Sequence, residues 1–166
     1  MQRLISRTDI AQYRQISKSC NDDKLNEIIL DAQIQDLLPL LGERLYNNIV
    51  ASIEDYQELL TGGIYVHDSL EYTNYGLKML LSYFVYARYV MFSSYIDTPF
   101  SLVEKLGSDS KPVDASVKKT LYNDNRDSAF MIWNNIKNYL LRTKAEDFNG
   151  CNAGTKTRGL RFTKIK

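Results

Sequence analysis

The sequence predicts a mainly α-helical protein: a bundle of about four to five helices with a short β-hairpin or extended loop and an extended C-terminal arm. Three observations predict this fold class. Apolar residues recur at spacings of three and four in several segments, which is the pattern of amphipathic helices. Two short β-favouring runs lie near the middle of the chain. Residues 151–166 lack a helical period and are rich in Gly, Lys and Arg.

The composition is that of an ordinary globular chain with an excess of tyrosine. Its 166 residues suffice for one domain, which would bury about 70% of the surface that the unfolded chain exposes. Charged residues make up 25% and hydrophobic residues 44%, which excludes a wholly disordered or fibrous protein. The 12 tyrosines indicate assembly with other proteins, because a tyrosine combines a large apolar ring with a hydroxyl that tolerates water.

The cysteines and the N-terminus bear on where the protein works. Cys20 and Cys151 are far apart and have no CxxC partner, so they predict neither a zinc site nor a disulfide framework. We expect both to be reduced thiols in a cytosolic setting. The longest apolar run near the N-terminus is Leu4-Ile5, unlike a signal peptide, which predicts a protein made and used inside a cell.

Short helices account for the first third of the chain. Thr8 is a candidate N-cap for the first of them, and Asn21 or Asp22 for the second. Proline lacks a backbone N–H and clashes with the preceding turn, so Pro39 should end or kink the second helix. The helical pattern resumes after Gly42, which favours two short antiparallel helices.

The segment that follows differs in character. The Gly62-Gly63 pair should stop the preceding helix, and two β-favouring runs lie on either side of a polar turn at His67. Residues 64–72 therefore form either a small hairpin or an extended loop, and the sequence leaves both open. Two strands alone are marginal in water, so this segment must pack against another element.

Residues 76–94 form the predicted central helix, which contains the apolar stretch YFVYARYVMF. The apolar run from Leu77 to Phe92 is shorter than a membrane span of roughly 20 apolar residues, and it contains Lys78 and Arg88. Base stacking by its aromatic rings would need a basic groove, and Arg88 is the only cation inside YFVYARYVMF. The remaining interpretation is a core helix, in which a buried Arg88 would need a carboxylate partner.

Residues 95–114 begin as non-helical chain, because Thr98-Pro99 favours extended geometry. Asp114 or Ser116 should cap a last long helix with one apolar face. The middle of that helix, NDNRDS, is polar on every side, so the helix either protrudes there or faces a partner.

The chain divides into a helical domain, residues 1–148, and a basic extended arm, residues 149–166. The net charge is +1, but residues 151–166 carry +5, which leaves −4 for the rest. The arm's GLRFTKIK nearly alternates apolar and polar residues, as a strand does. It either adds to a sheet edge of another chain or is a disordered basic end that touches nucleic acid or nothing. Its basic residues are Lys156, Arg158, Arg161, Lys164 and Lys166.

The sequence predicts no enzyme, no cofactor and no metal site. His67 is the only histidine, and a lone histidine in a turn is more often a surface residue than a base or a ligand. The chain has neither a GxxxxGK phosphate loop nor a GxSxG motif. Paired carboxylates assemble in space, so the sequence favours no particular pair. Four helix aspartates are expected on a solvated face: Asp22, Asp23, Asp31 and Asp36.

The order of several stretches resembles a known family. LISRTDIAQY is followed by IILDAQIQDLLPLLGERLYNNI, then by TNYGLKMLLSYFVYARYVMF and DTPFSLVEK, and finally by a long helix and a basic tail. Nearly the whole chain is similar to the head-to-tail connector proteins, also called ring or adaptor proteins, of tailed bacteriophages. Within that family it looks most like those of crAss-like phages and related prophages of gut Bacteroidetes. The most specific parts are GLK running into YFVYARY, and TPF.

The resemblance implies a structural virion protein made in the host cytoplasm. Such proteins are mostly α-helical and form a closed ring, usually twelvefold, beneath the portal protein and above other ring or tail proteins. Double-stranded DNA would pass through the lumen without sequence-specific binding, and no membrane is involved. The family has no catalytic residues to carry over.

The predicted contacts with partners or neighbouring subunits lie on the central helix, around residues 98–100 and in the arm. The rival interpretation is a small helical DNA-binding or regulatory protein that uses the basic tail for phosphate contacts. The contact residues are Tyr86, Tyr89, Thr98, Pro99, Phe100, Lys156, Arg158, Arg161, Phe162 and Ile165.

Overall fold

A computed structural model of the protein describes residues 2–18, 20–93, 95–99, 101–104, 113–145 and 147–148. It confirms the mainly α-helical prediction with a short antiparallel hairpin. The α-helices are α1 (Arg7–Ala11), α2 (Asp22–Ala32), α3 (Leu38–Leu41), α4 (Glu43–Ala51), α5 (Gln57–Thr61), α6 (Leu77–Phe92) and α7 (Ala115–Arg142). A π-helical turn spans Gln33–Leu37 and a 3-10 turn spans Ile53–Tyr56. The strands are β1 (Gly63–His67), β2 (Leu70–Asn74), β3 (Tyr95–Asp97) and β4 (Leu102–Glu104).

The helix starts follow local capping chemistry. The side chain of Asn21 accepts hydrogen bonds from the first turn of α2, and Asp114 does the same for α7, as predicted. The first helix begins earlier than expected, because Ser6 rather than Thr8 is its N-cap. Ser6 forms a reciprocal capping box with Asp9, which satisfies two backbone N–H groups at once.

Pro39 does not end the second helical segment but changes its winding. The N–H of Leu38 donates to the carbonyl of Gln33, five residues back, so α2 continues through a π-helical turn into α3. In a regular α-helix the ring of Pro39 would clash with the carbonyl of Gln35, and a wider turn moves that carbonyl away. The helical path then ends at Gly42, which has a φ of 81°.

The segment at residues 64–72 is a hairpin, and Tyr65 pairs with Tyr72 across it. These two rings occupy its inner face. Tyr65 meets the Tyr139 ring edge-on at 4.8 Å, and the Arg142 guanidinium lies 3.8 Å from the centre of the Tyr72 ring. The hairpin thus packs on the C-terminal end of α7, which provides the support that two isolated strands need.

The turn of this hairpin is a site of local strain. Asp68 and Ser69 have φ values of 49° and 65°, the pattern of a type I′ turn, which Asn-Gly suits best. We expect Asp68→Asn with Ser69→Gly to raise the free energy of unfolding by about 0.5 to 1 kcal/mol. Urea unfolding would measure the gain. The opposite variant, Ser69→Val, should lose stability, and equal stability of the two variants would contradict the strained turn.

Helix α6 is the centre of the core. It packs antiparallel to α7, since the Tyr75 N–H just before it donates to Asn135 Oδ1 at 3.0 Å and Phe84 meets Phe130 further along. Its other sides contact α1, α2 and α5. Among the described helices, none combines the length and apolar character that a bilayer span requires. Its fully buried side chains include Leu77, Leu80, Leu81, Phe84, Val85 and Ala87.

The segment that was expected to be non-helical after α6 contains a second antiparallel hairpin, β3–β4. The predicted C-terminal arm, residues 149–166, lies outside the described residues.

Candidate functional site

The outer face of the β1–β2 hairpin is an exposed apolar surface. Ile64 and Val66 are 73% and 68% exposed, and we name these two residues the hairpin patch. They point away from the body because the alternating residues Tyr65 and Tyr72 take the inner face. β-branched side chains exposed on a two-stranded sheet offer a surface to another chain.

A second exposed apolar surface lies at the other end of α7. Val117 and Leu121 are exposed one turn apart on α7, and exposed Val113 lies just before its N-cap Asp114; we name these three residues the helix patch. From Val117 to Arg142, beneath the hairpin, α7 extends for about 37 Å at 1.5 Å per residue. The two patches are therefore different in shape and lie at opposite ends of the longest helix.

The predicted contact tyrosines lie on one side of α6. Tyr86 and Tyr89 are half-buried, with ring centres 6.1 Å apart. The guanidinium of Arg14 lies 5.8 Å from the Tyr86 ring and 3.9 Å from the Tyr83 ring. These rings thus already have partners within the chain, and their role between subunits stays a prediction.

The other predicted contact residues fall at the second hairpin or beyond the described chain. Thr98 lies in the turn between β3 and β4, where its hydroxyl donates to the Ser101 carbonyl at 2.6 Å. Pro99 is exposed beside it. The remaining predicted contacts lie outside the described residues: Phe100, Lys156, Arg158, Arg161, Phe162 and Ile165.

Asp36 is the centre of a buried charge cluster, so its predicted place on a solvated face is wrong. Its side chain is 3% exposed and accepts from Arg88 Nε at 2.8 Å and from Arg126 Nη1 at 2.6 Å. Arg88 comes from α6, Arg126 from α7, and Asp36 from the π-helical turn. The carboxylate partner that Arg88 was expected to need is therefore Asp36. The cluster joins three helical segments through one carboxylate.

A signal for this burial was present in the sequence. Asp36 falls at the three-and-four spacing of the apolar residues of α2, and its polarity alone suggested solvent. Burial is the largest single effect and would lower the pKa of Arg126, but the hydrogen bond and the negative charge of Asp36, with smaller effects of Tyr122, together raise this pKa above its ordinary value. The guanidinium also lies 5.4 Å from the Phe84 ring and 5.7 Å from the Phe130 ring, which places it on the aromatic core.

A cavity of about 400 Å³ opens between the 3-10 turn, α5 and the end of α7. Its polar rim carries the exposed carboxylates of Glu54, Asp55 and Glu58. Tyr56 and Tyr139 complete the cavity wall. Burial and, to a smaller extent, the nearby carboxylate of Asp147 raise the pKa of Tyr56. Burial and, to a smaller extent, the charge of Glu58 raise the pKa of Tyr139. The apolar lining consists of Leu45, Leu59, Leu140 and Ala145. We name this cavity the acidic pocket.

The chain after α7 is attached firmly beside the acidic pocket. Asp147 accepts from Asn48 Nδ2 at 2.8 Å and pairs with Arg44 Nε at 2.7 Å. The ring of Phe148 meets Trp133 edge-on at 6.1 Å. Phe148 is thus held at a fixed point, between α4 and Trp133 of α7.

The described residues contain no group of three His, Cys, Asp or Glu side chains placed to hold a metal ion. His67 is partly exposed, and its Nε2 lies 3.3 Å from the Asp68 carboxylate.

Residues 37–158 match the model of a protein family that is described as a family of unknown function, DUF6712. No curated protein and no solved structure matches the chain.

Proposed function

The chain belongs to the family of unknown function DUF6712, and we propose that it is a structural virion protein of a tailed bacteriophage. In this proposal it forms a closed ring of identical subunits, twelve by the resemblance stated above, in the head-to-tail connector. The ring docks beneath the portal protein and above other ring or tail proteins. It provides a channel for double-stranded DNA without binding a particular sequence.

The observation that carries the proposal is the pair of unlike apolar patches at opposite ends of α7. A head-to-tail contact repeated around a circle needs two different, complementary surfaces on each subunit. The hairpin patch offers exposed Ile64 and Val66, and the helix patch offers Val113, Val117 and Leu121. Each patch is small, but in a closed ring every subunit is held by two contacts, one at each patch. Weak individual contacts can therefore stabilise the whole ring.

Two further features support the proposal. The 12 tyrosines suit subunit contacts, and Tyr86 and Tyr89 lie together at the half-buried side of α6. The charge of −4 outside residues 151–166 suits a channel wall, because a mildly acidic surface repels the phosphate backbone weakly instead of holding it.

The test is a pair of patch variants. Ile64→Asp with Val66→Asp removes the hairpin patch, and Val117→Asp with Leu121→Asp removes the helix patch. We expect each variant alone to lose the ring, because a charge in an apolar contact is costly to desolvate. An equimolar mixture should give a heterodimer and nothing larger, since only one intact contact can form. Native mass spectrometry of the full chain, alone and with the portal protein, gives the masses.

The matched control is Met131→Asp with Leu141→Asp, which changes two exposed apolar residues of α7 outside both patches. It should assemble like the unchanged chain, with an unchanged melting temperature. A helix-patch variant that still dimerises by itself would contradict a head-to-tail contact, because it would point to a symmetric contact of the hairpin with itself.

The rival function is a helical DNA-binding or regulatory protein, and the charge of +5 in residues 151–166 favours it. Such a protein should bind duplex DNA with an affinity that falls steeply with salt, with up to about five counterions released. A ring protein should show little such affinity. Strong, salt-sensitive DNA binding by a chain that stays monomeric with the portal protein would replace the ring proposal with this one.

A further inference from the structure

The acidic pocket has the chemistry of a receptor for a basic, partly apolar peptide. Glu54, Asp55 and Glu58 stand at its rim, and within the described chain no lysine or arginine nitrogen lies within 4.0 Å of their carboxylates. Below the rim, leucine and tyrosine side chains form the floor. A ligand in which cationic and apolar side chains alternate could pair its cations with the rim carboxylates and pack its apolar side chains on the floor.

Residues 151–166 of this chain have that composition. They carry +5 and no acidic residue, and Leu160, Phe162 and Ile165 alternate with cations or polar residues near the C-terminus. Fully extended, residues 149–166 reach about 60 Å at roughly 3.3 Å per residue. The segment is thus long enough to leave its own subunit.

The length of the arm lets it reach the acidic pocket of a neighbouring copy. In the proposed ring, the hairpin end of one subunit, with its acidic pocket, faces the helix patch of the next. That next subunit holds its own Phe148 against Trp133, which lies about 24 Å from Val117 along α7. An arm with a reach of about 60 Å crosses this distance and arrives at the neighbour's pocket.

We propose that the acidic pocket receives the basic C-terminal segment, residues 151–166, of the neighbouring copy in the ring. Cations of the arm meet the three rim carboxylates, and an apolar side chain of the arm enters the leucine and tyrosine floor. The proposal rests on the ring function, and it gives each subunit contact a second, charged connection beside the apolar patches.

The first test places a photo-crosslinking benzoylphenylalanine in place of Phe162 in the full chain. After irradiation, a denaturing gel separates crosslinks between two chains from those within one chain, and mass spectrometry locates the attached peptide. We expect a product of twice the chain mass, joined within residues 53–61 or 139–145. A crosslink to that region at single-chain mass would overturn the proposal, because the arm would then occupy its own pocket.

The second test reverses charges. Glu54→Lys, Asp55→Lys and Glu58→Lys together should reduce the two-chain crosslink at least tenfold, and so should Lys156→Glu, Arg158→Glu and Arg161→Glu. Combining both sets in one chain should restore the crosslink. The control is Asp31→Lys, Asp124→Lys and Asp127→Lys, which makes the same charge change at exposed helix positions and should leave the crosslink intact.

The outcomes separate this inference from the ring function. A chain that forms the ring but crosslinks elsewhere, or whose crosslink is insensitive to the pocket charges, overturns the arm-to-pocket contact and leaves the ring. A chain that stays monomeric with the portal protein overturns both, and the mass measurement shows this before any crosslinking.

Discussion

Replacing Asp36 by alanine should lower the free energy of unfolding by about 3 to 5 kcal/mol. The change removes the one carboxylate between Arg88 and Arg126, which are only 14% and 25% exposed, and leaves two like charges close together. Urea unfolding followed by circular dichroism would measure the loss. The value reports the cost of uncompensated buried charge and not the net worth of the cluster, since a buried ion pair often gives little stability over an apolar replacement.

Two variants sharpen this experiment. Asp31→Ala makes the same substitution at an exposed position of α2, and we expect a change within about 0.5 kcal/mol. Asp36→Asn keeps the shape of the side chain and one acceptor oxygen but removes the charge. Its loss of unfolding free energy should therefore lie between the losses of the two alanine variants. If Asp36→Ala and Asp31→Ala cost the same, the carboxylate of Asp36 does not hold the two arginines in solution.

Phe84→Ala should lower the free energy of unfolding by a similar amount, about 3 to 5 kcal/mol, for a different reason. Phe84 is fully buried at the centre of α6, and its ring meets Phe130 edge-on at 5.6 Å. Truncation removes the apolar contacts and leaves a cavity that the antiparallel pair α6 and α7 fills only in part. The same urea titration measures this loss of stability, and an unchanged m-value would show that the variant keeps the native fold.

Phe92→Ala is the matched control, because Phe92 lies on the same helix with 49% of its surface exposed. We expect a loss of only about 1 kcal/mol there, since about half of the Phe92 surface stays in water in the folded chain. Equal losses at Phe84 and Phe92 would contradict the core assignment of α6. Tyr89→Ala, on the half-buried side, should affect ring formation more than stability if the tyrosines contact a neighbour.

The effects at Asp36 and Phe84 should not be additive. The guanidinium of Arg126 lies between them, bonded to Asp36 and 5.4 Å from the Phe84 ring. Once one partner is removed, Arg126 is free to move, so the second removal costs less than it does alone. The polar middle of α7, which suggested a protrusion or a partner, thus places one of its charges into the core.

Features that depend on neighbouring residues were predictable. Asn21 and Asp114 cap α2 and α7 because a short polar side chain can reach N–H groups two or three residues ahead. The hairpin alternative for residues 64–72 could be named from its β-favouring runs and polar turn. The choice of hairpin over loop depended on α7, whose Tyr139 and Arg142 contact the hairpin rings.

By itself the sequence determined the helical class, the starts of α2 and α7 and the separation of a basic segment from an acidic body, because composition, periodicity and capping act over a few residues. Only the tertiary structure decided that Asp36 is buried, since its partners lie 52 and 90 residues away along the chain. It also decided that two apolar patches lie at opposite ends of α7 and that Phe148 is fixed beside an acidic pocket. Distance in space between residues far apart in sequence is set by packing, which no local pattern records.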